Sequence, residues 1–256
     1  MIRPERLLAA ALLLFMLGSA SAKPTDTAAI DYGESGDAAG PMSPHAQLVR
    51  FLLQPVADPN QLQGYRVAIL AADGVDGFDL EVPRLFLSER GAIVHIIVPR
   101  PRQVLQAAGS GAVIKPKTQI EVLEPSGEQE TASFDRFLDQ VRAEDYDVIY
   151  LPGHPGEGTG VGDQNSIAFL QEGARAGKPI FAAGNSPDAL VKAGLLNYRP
   201  ARDSAALSSP ASSAPSVPDA LLAHDGMIYT SRDAFDMPVL IDTLIATLLT
   251  RPATVQ

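Results

Sequence analysis

Five short apolar runs recur along the chain: RVAILA (66–71), AIVHIIVP (92–99), YDVIYLPG (146–153), PIFAAG (179–184) and GMIYTS (226–231). They show almost no polar alternation, which is the pattern of strands covered on both faces. Stretches of helical periodicity separate or follow them: DLEVPRLFLSERG (79–91), SFDRFLDQVRAE (133–144), QNSIAFLQEGARAG (164–177), PDALVKAGLL (187–196) and DAFDMPVLIDTLIATLL (233–249). Gly91 stands where a C′ glycine would end the first of these helices. Strand–helix alternation of this kind predicts an α/β fold, a mostly parallel sheet with helices on both faces. AVIKPKTQIEVLEPSGEQ (112–129) reads as an extended excursion that turns at Pro125-Ser126-Gly127.

The ends of the chain break this rhythm. Arg3 and Arg6 precede an apolar block, Leu7–Leu17, and a small-residue site at Ala20-Ser21-Ala22. The block is short for a membrane span, so residues 1–22 are read as a secretory signal cleaved after Ala22, with an uncleaved anchor as the alternative. The mature protein is then expected to be periplasmic or secreted, with no membrane span left. Residues 23–64 read as a flexible tether carrying one short amphipathic helix at HAQLVRFLLQPV (45–56). Residues 65–256 form the main domain. ARDSAALSSPASSAPSVPDA (201–220) is too rich in Ser, Ala and Pro to build a core and reads as a mobile surface insertion.

Composition narrows the chemistry. The chain has 256 residues, no cysteine and a net charge of −10. Such an acidic chain is repelled by phosphate backbones, so nucleic acid is not an expected partner. Without cysteine there are no disulfides, no lipid attachment at the cleavage site and no thiol chemistry. The four histidines are scattered without metal-ligand spacing, and no phosphate-binding loop motif is present. No metal and no cofactor are expected.

Ligands of open α/β sheets bind at the carboxyl ends of the strands. Three glycine-dense loops qualify: ADGVDGFD (72–79), PGHPGEGTGVG (152–162) and GNSP (184–187). Ser186 precedes Pro187 and Asp188, the signature of an N-cap, an N1 proline and a dipole-compensating acid. Ser186 can also be read as a nucleophile with His154, or less readily His224, as its base. His154 can polarise a ligand carbonyl or can be an ordinary loop histidine. His95, inside a strand, reads as structural. The helix starting near Pro187 is expected to aim free N–H groups into the cleft, where a small anion or carboxylate would bind.

The blocks RVAILAADGVDGFDLEVP, YDVIYLPGH, AGKPIFAAGNSPDALVKAGLL and DGMIYTSRDAFDMP occur in an order that resembles the ThiJ/PfpI superfamily. That resemblance implies the class I glutamine amidotransferase-like fold, a flavodoxin-like three-layer sandwich. The opening VAILAADGVDG and the cysteine-free turn also resemble the C-terminal domain of large-subunit catalases, without any haem-domain sequence. In active family members a cysteine stands three residues before the turn's proline, and here that position is Gly184. The next position, often histidine, is Asn185, and the family glycine is Ser186. The family's supporting acid falls on Asp79, and the N–H groups that face an oxyanion fall on Pro152-Gly153-His154. A later histidine-bearing strand is replaced by the Ser/Pro-rich segment. The resemblance further implies a homodimer.

Two functions follow as expectations. The first is an exported, non-catalytic domain that binds a small anionic or carbonyl ligand, or a partner, through Gly184, Asn185, Ser186, Gly153, His154 and Asp79. The alternative is a hydrolase or amidase on the same scaffold, using Ser186 with His154 and Asp79.

Overall fold

The structure is a computed structural model that describes residues 44–100, 118–154, 161–197, 222–232 and 234–253. The expected signal peptide, residues 23–43 of the tether and the 201–220 insertion lie outside the described residues. The chain divides into two units, residues 1–55 and 56–256. In the first, helix α1 (Pro44–Leu52) covers most of the short amphipathic segment.

The second unit is built on a seven-stranded sheet. Its strands are β1 (Arg66–Leu70), β3 (Ile93–Val98), β6 (Arg136–Phe137), β7 (Val148–Leu151), β8 (Ile180–Ala182), β9 (Leu222–Asp225) and β10 (Ile228–Ser231). The order is β6-β3-β1-β7-β8-β10-β9, and every neighbouring pair is parallel except β9 with β10. A smaller sheet, β2-β4-β5, joins β2 (Val75–Asp76) to the excursion strands β4 (Gln119–Leu123) and β5 (Gln129–Ser133). The turn expected at 125–127 is present, with Gly127 at φ +84° and its N–H donating to Glu124 O at 2.8 Å. The expected α/β fold with a mostly parallel, flavodoxin-like sheet is the fold observed.

Register fixes what each face carries. Ile69 pairs with Ile96 and Tyr150, Tyr150 with Phe181, and Phe181 with Tyr229. The Phe181 and Tyr229 rings stack 4.5 Å apart on this face. Helix α2 (Gly77–Glu89) lies there too, since the Tyr150 hydroxyl donates to Asp79 O at 2.9 Å. Helix α5 (Met237–Leu249) contacts α2 and buries Leu240, Leu244 and Leu248. On the opposite face, Leu70, Ile149, Leu151, Ile180 and Ala182 pack with Phe169 and Leu170 of α3 (Gln164–Arg175) and Leu190 of α4 (Pro187–Lys192). Both faces are dry, which explains why the strands show no alternation.

One expected element is absent. Residues 133–144 are not a helix but the end of β5, then β6 and two short 3-10 turns. The edge of β3 captures this segment. Asp135 N–H donates to Ile96 O at 2.9 Å, and the Asp135 carboxylate accepts from Ile96 N–H at 2.8 Å. Pairing of Ile97 with Arg136 and Val98 with Phe137 follows. Strand-edge groups needing partners outweigh a modest helical pattern. Helix α4 also stops earlier than expected, at Lys192, where Gly194 takes φ +70°.

The amino ends of β1 and β7 are joined by Asp147, which is buried. Its N–H donates to Arg66 O and its carboxylate accepts from Arg66 N–H, both at 2.8 Å. Asp147→Ala is expected to lower unfolding free energy by about 2 kcal/mol in urea titration, because Arg66 N–H loses its partner. Asp147→Asn, which retains an acceptor oxygen, is expected to recover most of that loss.

Candidate functional site

The carboxyl ends of β7 and β8 meet the first turn of α2. Asp76 caps that helix, its carboxylate accepting from Asp79 N–H at 3.0 Å. Burial raises the Asp76 carboxyl above its ordinary value, partly offset by its bonds from backbone N–H groups. The turn of helix so begun projects the Asp79 carboxylate toward the strand ends, where only 7% of the residue is exposed. There Asp79 Oδ2 accepts from Gly153 N–H at 3.1 Å. A Cβ built on Gly153 would collide with that same oxygen, so the close approach requires glycine.

Gly184 sits opposite. Its φ is +55°, the left-handed conformation that side chains resist, at the bend between β8 and α4. A Cβ built there would lie 3.5 Å from Asp79 Oδ2 and 3.7 Å from Gly153 Cα. The three positions that the sequence singles out on separate loops, 79, 153 and 184, therefore converge.

Asn185 adds a clamp that sequence reasoning did not reveal. Its Oδ1 accepts from His154 N–H at 2.6 Å, and its Nδ2 donates to His154 O. One carboxamide thus satisfies both main-chain groups of His154. The N–H groups of Gly153 and His154, expected to face an oxyanion, are both engaged by side chains. The helix terminus is engaged as well: Ser186, Asp188 and Ala189 N–H donate to the carbonyls of Ala183, Asn185 and Ser186. The expectation of free N–H groups at these positions is corrected, because a tight turn consumes them.

Ser186 departs from its expected capping role. It occupies the N-cap position but has helical backbone angles and makes no side-chain cap bond. Its hydroxyl lies 2.9 Å from Leu151 O and 2.7 Å from Ala183 O, donating its one proton to these strand-end carbonyls. Pro187 and Asp188 keep their places in the first turn.

The His154 side chain is buried, only 5% of the residue being exposed, and its Nε2 has no hydrogen-bond partner among the described residues. Burial pushes the imidazole down to about 4, so it is neutral at physiological pH. His95 lies away from the carboxyl edge, its Nδ1 3.0 Å from the Tyr146 hydroxyl. His224 lies on the exposed edge strand β9. Two hydroxyls that the sequence reading passed over, Thr230 Oγ1 and Ser231 Oγ on β10, are buried without a partner among the described residues. Their only signal is a polar pair ending an apolar run. Among the described residues, no group of three or more His, Asp or Glu is placed to hold a metal.

Gly184→Cys is expected to fold with a loss of about 1–2 kcal/mol in urea unfolding, the cost of a left-handed side chain where there is room for it. Gly153→Ala is expected to cost more, roughly 2–3 kcal/mol, because it displaces the Asp79 carboxylate and its hydrogen bond. His154 sets a pH dependence. Between pH 6.5 and about 4 the unfolded chain binds a proton at this residue that the folded chain refuses, so stability falls as pH falls. This single group is expected to contribute about 2 kcal/mol of loss between pH 7 and pH 5. Comparing wild type with His154→Gln isolates it, since His95, also shifted down by burial, is common to both.

Residues 65–247 match the DJ-1/PfpI family. A catalase HPII of Mycobacterium avium is 28% identical over 165 residues, covering 64% of this chain and 20% of the catalase. This is a distant resemblance to that enzyme's C-terminal region. Protein/nucleic acid deglycase 2 of Escherichia coli is 23% identical over 99 residues, 39% of this chain and 58% of the deglycase. The chain thus aligns with less than two thirds of the length of either relative. Among solved structures, a cysteine-to-alanine variant of a DJ-1 superfamily protein from Salmonella typhimurium superposes with a TM-score of 0.55 at 20% identity, covering 74% of this chain and 93% of that one. Drosophila melanogaster DJ-1beta gives 0.53 at 18% identity, covering 75% and 92%. The match spans most of the chain and takes in all three converging loops: this cysteine-free protein belongs to the DJ-1/PfpI family.

Proposed function

We propose that the protein is an exported DJ-1/PfpI domain without the family's thiol chemistry, whose elbow between β8 and α4 holds a small ligand or a group of a partner. The observation that carries this reading is Gly184. It keeps the bend at φ +55° while the Asp79 carboxylate stands 3.5 Å from where a side chain would begin. The glycine lets the bend form without strain and leaves room beside a buried acid for a group to enter. Of the two ligand classes considered, carbonyl compounds suit the site better than anions. An anion would meet the Asp79 carboxylate and find the N–H groups of Gly153, His154, Ser186, Asp188 and Ala189 already bonded. A neutral imidazole N–H at His154 Nε2 would instead donate to a carbonyl oxygen.

A Ser186 hydrolase has less support. Its hydroxyl is directed to main-chain carbonyls, and no described bond links it to His154. The proposal also places the mature chain outside the cytoplasm after cleavage at Ala22, paired as a homodimer. Amino-terminal sequencing and light scattering of the exported protein check these two points.

The mature protein is expected to remain unlabelled by a fluorophosphonate probe and to leave p-nitrophenyl esters intact. Labelling that Ser186→Ala abolishes, with folding unchanged, would replace this reading with the hydrolase. In a thermal-shift series, small ketones are expected to stabilise the protein and carboxylates of equal size to have little effect.

A further inference from the structure

Toward the amino ends of the strands, away from the elbow, three basic side chains share one face of the sheet. Arg66 opens β1 and pairs with Ile93, so His95, two residues further along β3, is its diagonal neighbour. Arg136 opens β6 and pairs with Ile97, which makes His95 its diagonal neighbour as well. The strand order β6-β3-β1 therefore sets His95 between two guanidinium groups. Their face is the one opposite α2, because Leu70 and Ile97, in the same rows, pack with Phe169 and Leu170 of α3. Tyr146 joins the group from the start of β7. Its hydroxyl lies 3.0 Å from His95 Nδ1, and the Arg66 guanidinium carbon lies 5.8 Å from the centre of its ring.

The ion pairs among the described residues leave out both Arg66 and Arg136. Arg66 Nε is buried without a hydrogen-bond partner among those residues, and Arg136 Nη1 donates to the adjoining main-chain O of Asp135 at 2.9 Å. The nearby acids are turned to the main chain: the Asp135 carboxylate accepts from Ile96 N–H at 2.8 Å, and that of Asp145 from Arg142 N–H at 2.9 Å. Glu144 and Glu172 pair with Arg142 instead. Two like charges gathered on one face, in a chain of net charge −10, repel each other until an anion joins them. Arg66 and His95 are partly exposed and Arg136 is exposed, so the cluster meets solvent. Burial pushes the Tyr146 phenol up to about 12, which keeps its proton in place. With that hydroxyl donating to Nδ1, the neutral imidazole carries its own proton on Nε2. We propose that Arg66, Arg136 and His95 form a binding site for a tetrahedral oxyanion, a phosphate or a phosphomonoester. Guanidinium forks match the oxygens of such a group in pairs, and the imidazole N–H adds a further donor. The site lies at the other end of the strands from the elbow and does not depend on what the elbow holds.

Inorganic sulfate, whose charge is constant over the pH range of histidine, is the first probe. Inorganic phosphate, methyl phosphate and acetate follow, all at constant ionic strength. Binding is read from NMR chemical shifts of the mature protein and its variants, each checked for folding by thermal melting. Sulfate and phosphate are expected to saturate shifts at residues 66, 93–97 and 136–137, and to bind about tenfold more tightly than acetate. Burial, with Arg66 and Arg136 adding to it and Asp135 opposing, holds the His95 ring below its ordinary value. Bound sulfate counters the two cations, so the titration midpoint of the ring is expected to move up. Arg66→Met keeps a stem against Tyr146 and loses the charge, and is expected to weaken sulfate about tenfold. Arg136→Gln, at an exposed position, is expected to act in the same direction and carries the test alone if Arg66→Met does not fold. Arg84→Gln, the same loss of charge on α2, is expected to change the affinity less than about twofold. If Arg84→Gln weakens sulfate as much as the other two, overall charge is responsible and the site is overturned. Shifts that fail to saturate, or a His95 midpoint that stays put with sulfate bound, overturn it as well. Acetate binding as tightly as sulfate overturns the ligand class. Methyl phosphate distinguishes the two sources: affinity equal to that of phosphate supports a site for phosphomonoesters, and rejection supports one for the free ion.

Discussion

The hydrogen bond from Gly153 N–H to Asp79 Oδ2 governs how closely β7, β8 and α2 approach one another. It works only because residue 153 has no side chain, and it places the carboxylate beside a second glycine at 184. Asp76 carries the helix turn that presents it, and Tyr150 anchors the same residue from the sheet through Asp79 O. Burial in turn keeps that phenol well above its ordinary pKa, so Tyr150 stays a neutral donor. Three elements are thereby fixed before any ligand is considered.

The second organising contact is the Asn185 carboxamide against the His154 main chain. It makes the loop after β7 and the bend after β8 a single unit. The His154 ring is left with Nε2 unpartnered among the described residues. The small β2-β4-β5 sheet braces the first loop from the other side. Gly74 N–H donates to Glu121 O, and Asp73 accepts from Glu121 N–H. Sequence distance is large in each case, and the parallel sheet brings the partners together at one edge.

Much of this was legible in the chain. Dry strands announce themselves by unbroken apolar runs, and glycine-dense loops following them mark the carboxyl edge. Gly184, Gly153 and Asp79 were found by position within a recognisable family pattern, and the structure brings them into contact. What was hidden has a common cause, the pull of distant partners. Residues 133–144 carry a plausible helical pattern, but the open edge of β3 offers Asp135 and Arg136 hydrogen bonds that a local pattern does not record. Ser186 precedes a proline and an acid like any capping residue, yet its hydroxyl finds the strand-end carbonyls of Leu151 and Ala183. Ser231 has no motif at all. Its buried hydroxyl, unpartnered among the described residues, becomes visible only in the structure.

The double use of Asn185 bears on what a reactive side chain placed at this bend would meet. A thiol introduced at position 184 would find the Gly153 and His154 N–H donors already engaged, one by the Asp79 carboxylate and one by the Asn185 carboxamide. Freeing both donors would take substitutions at 79 and 185 in addition to the one at 184. The carboxamide and the carboxylate thus set the electrostatic surroundings that any side chain placed at this bend would meet.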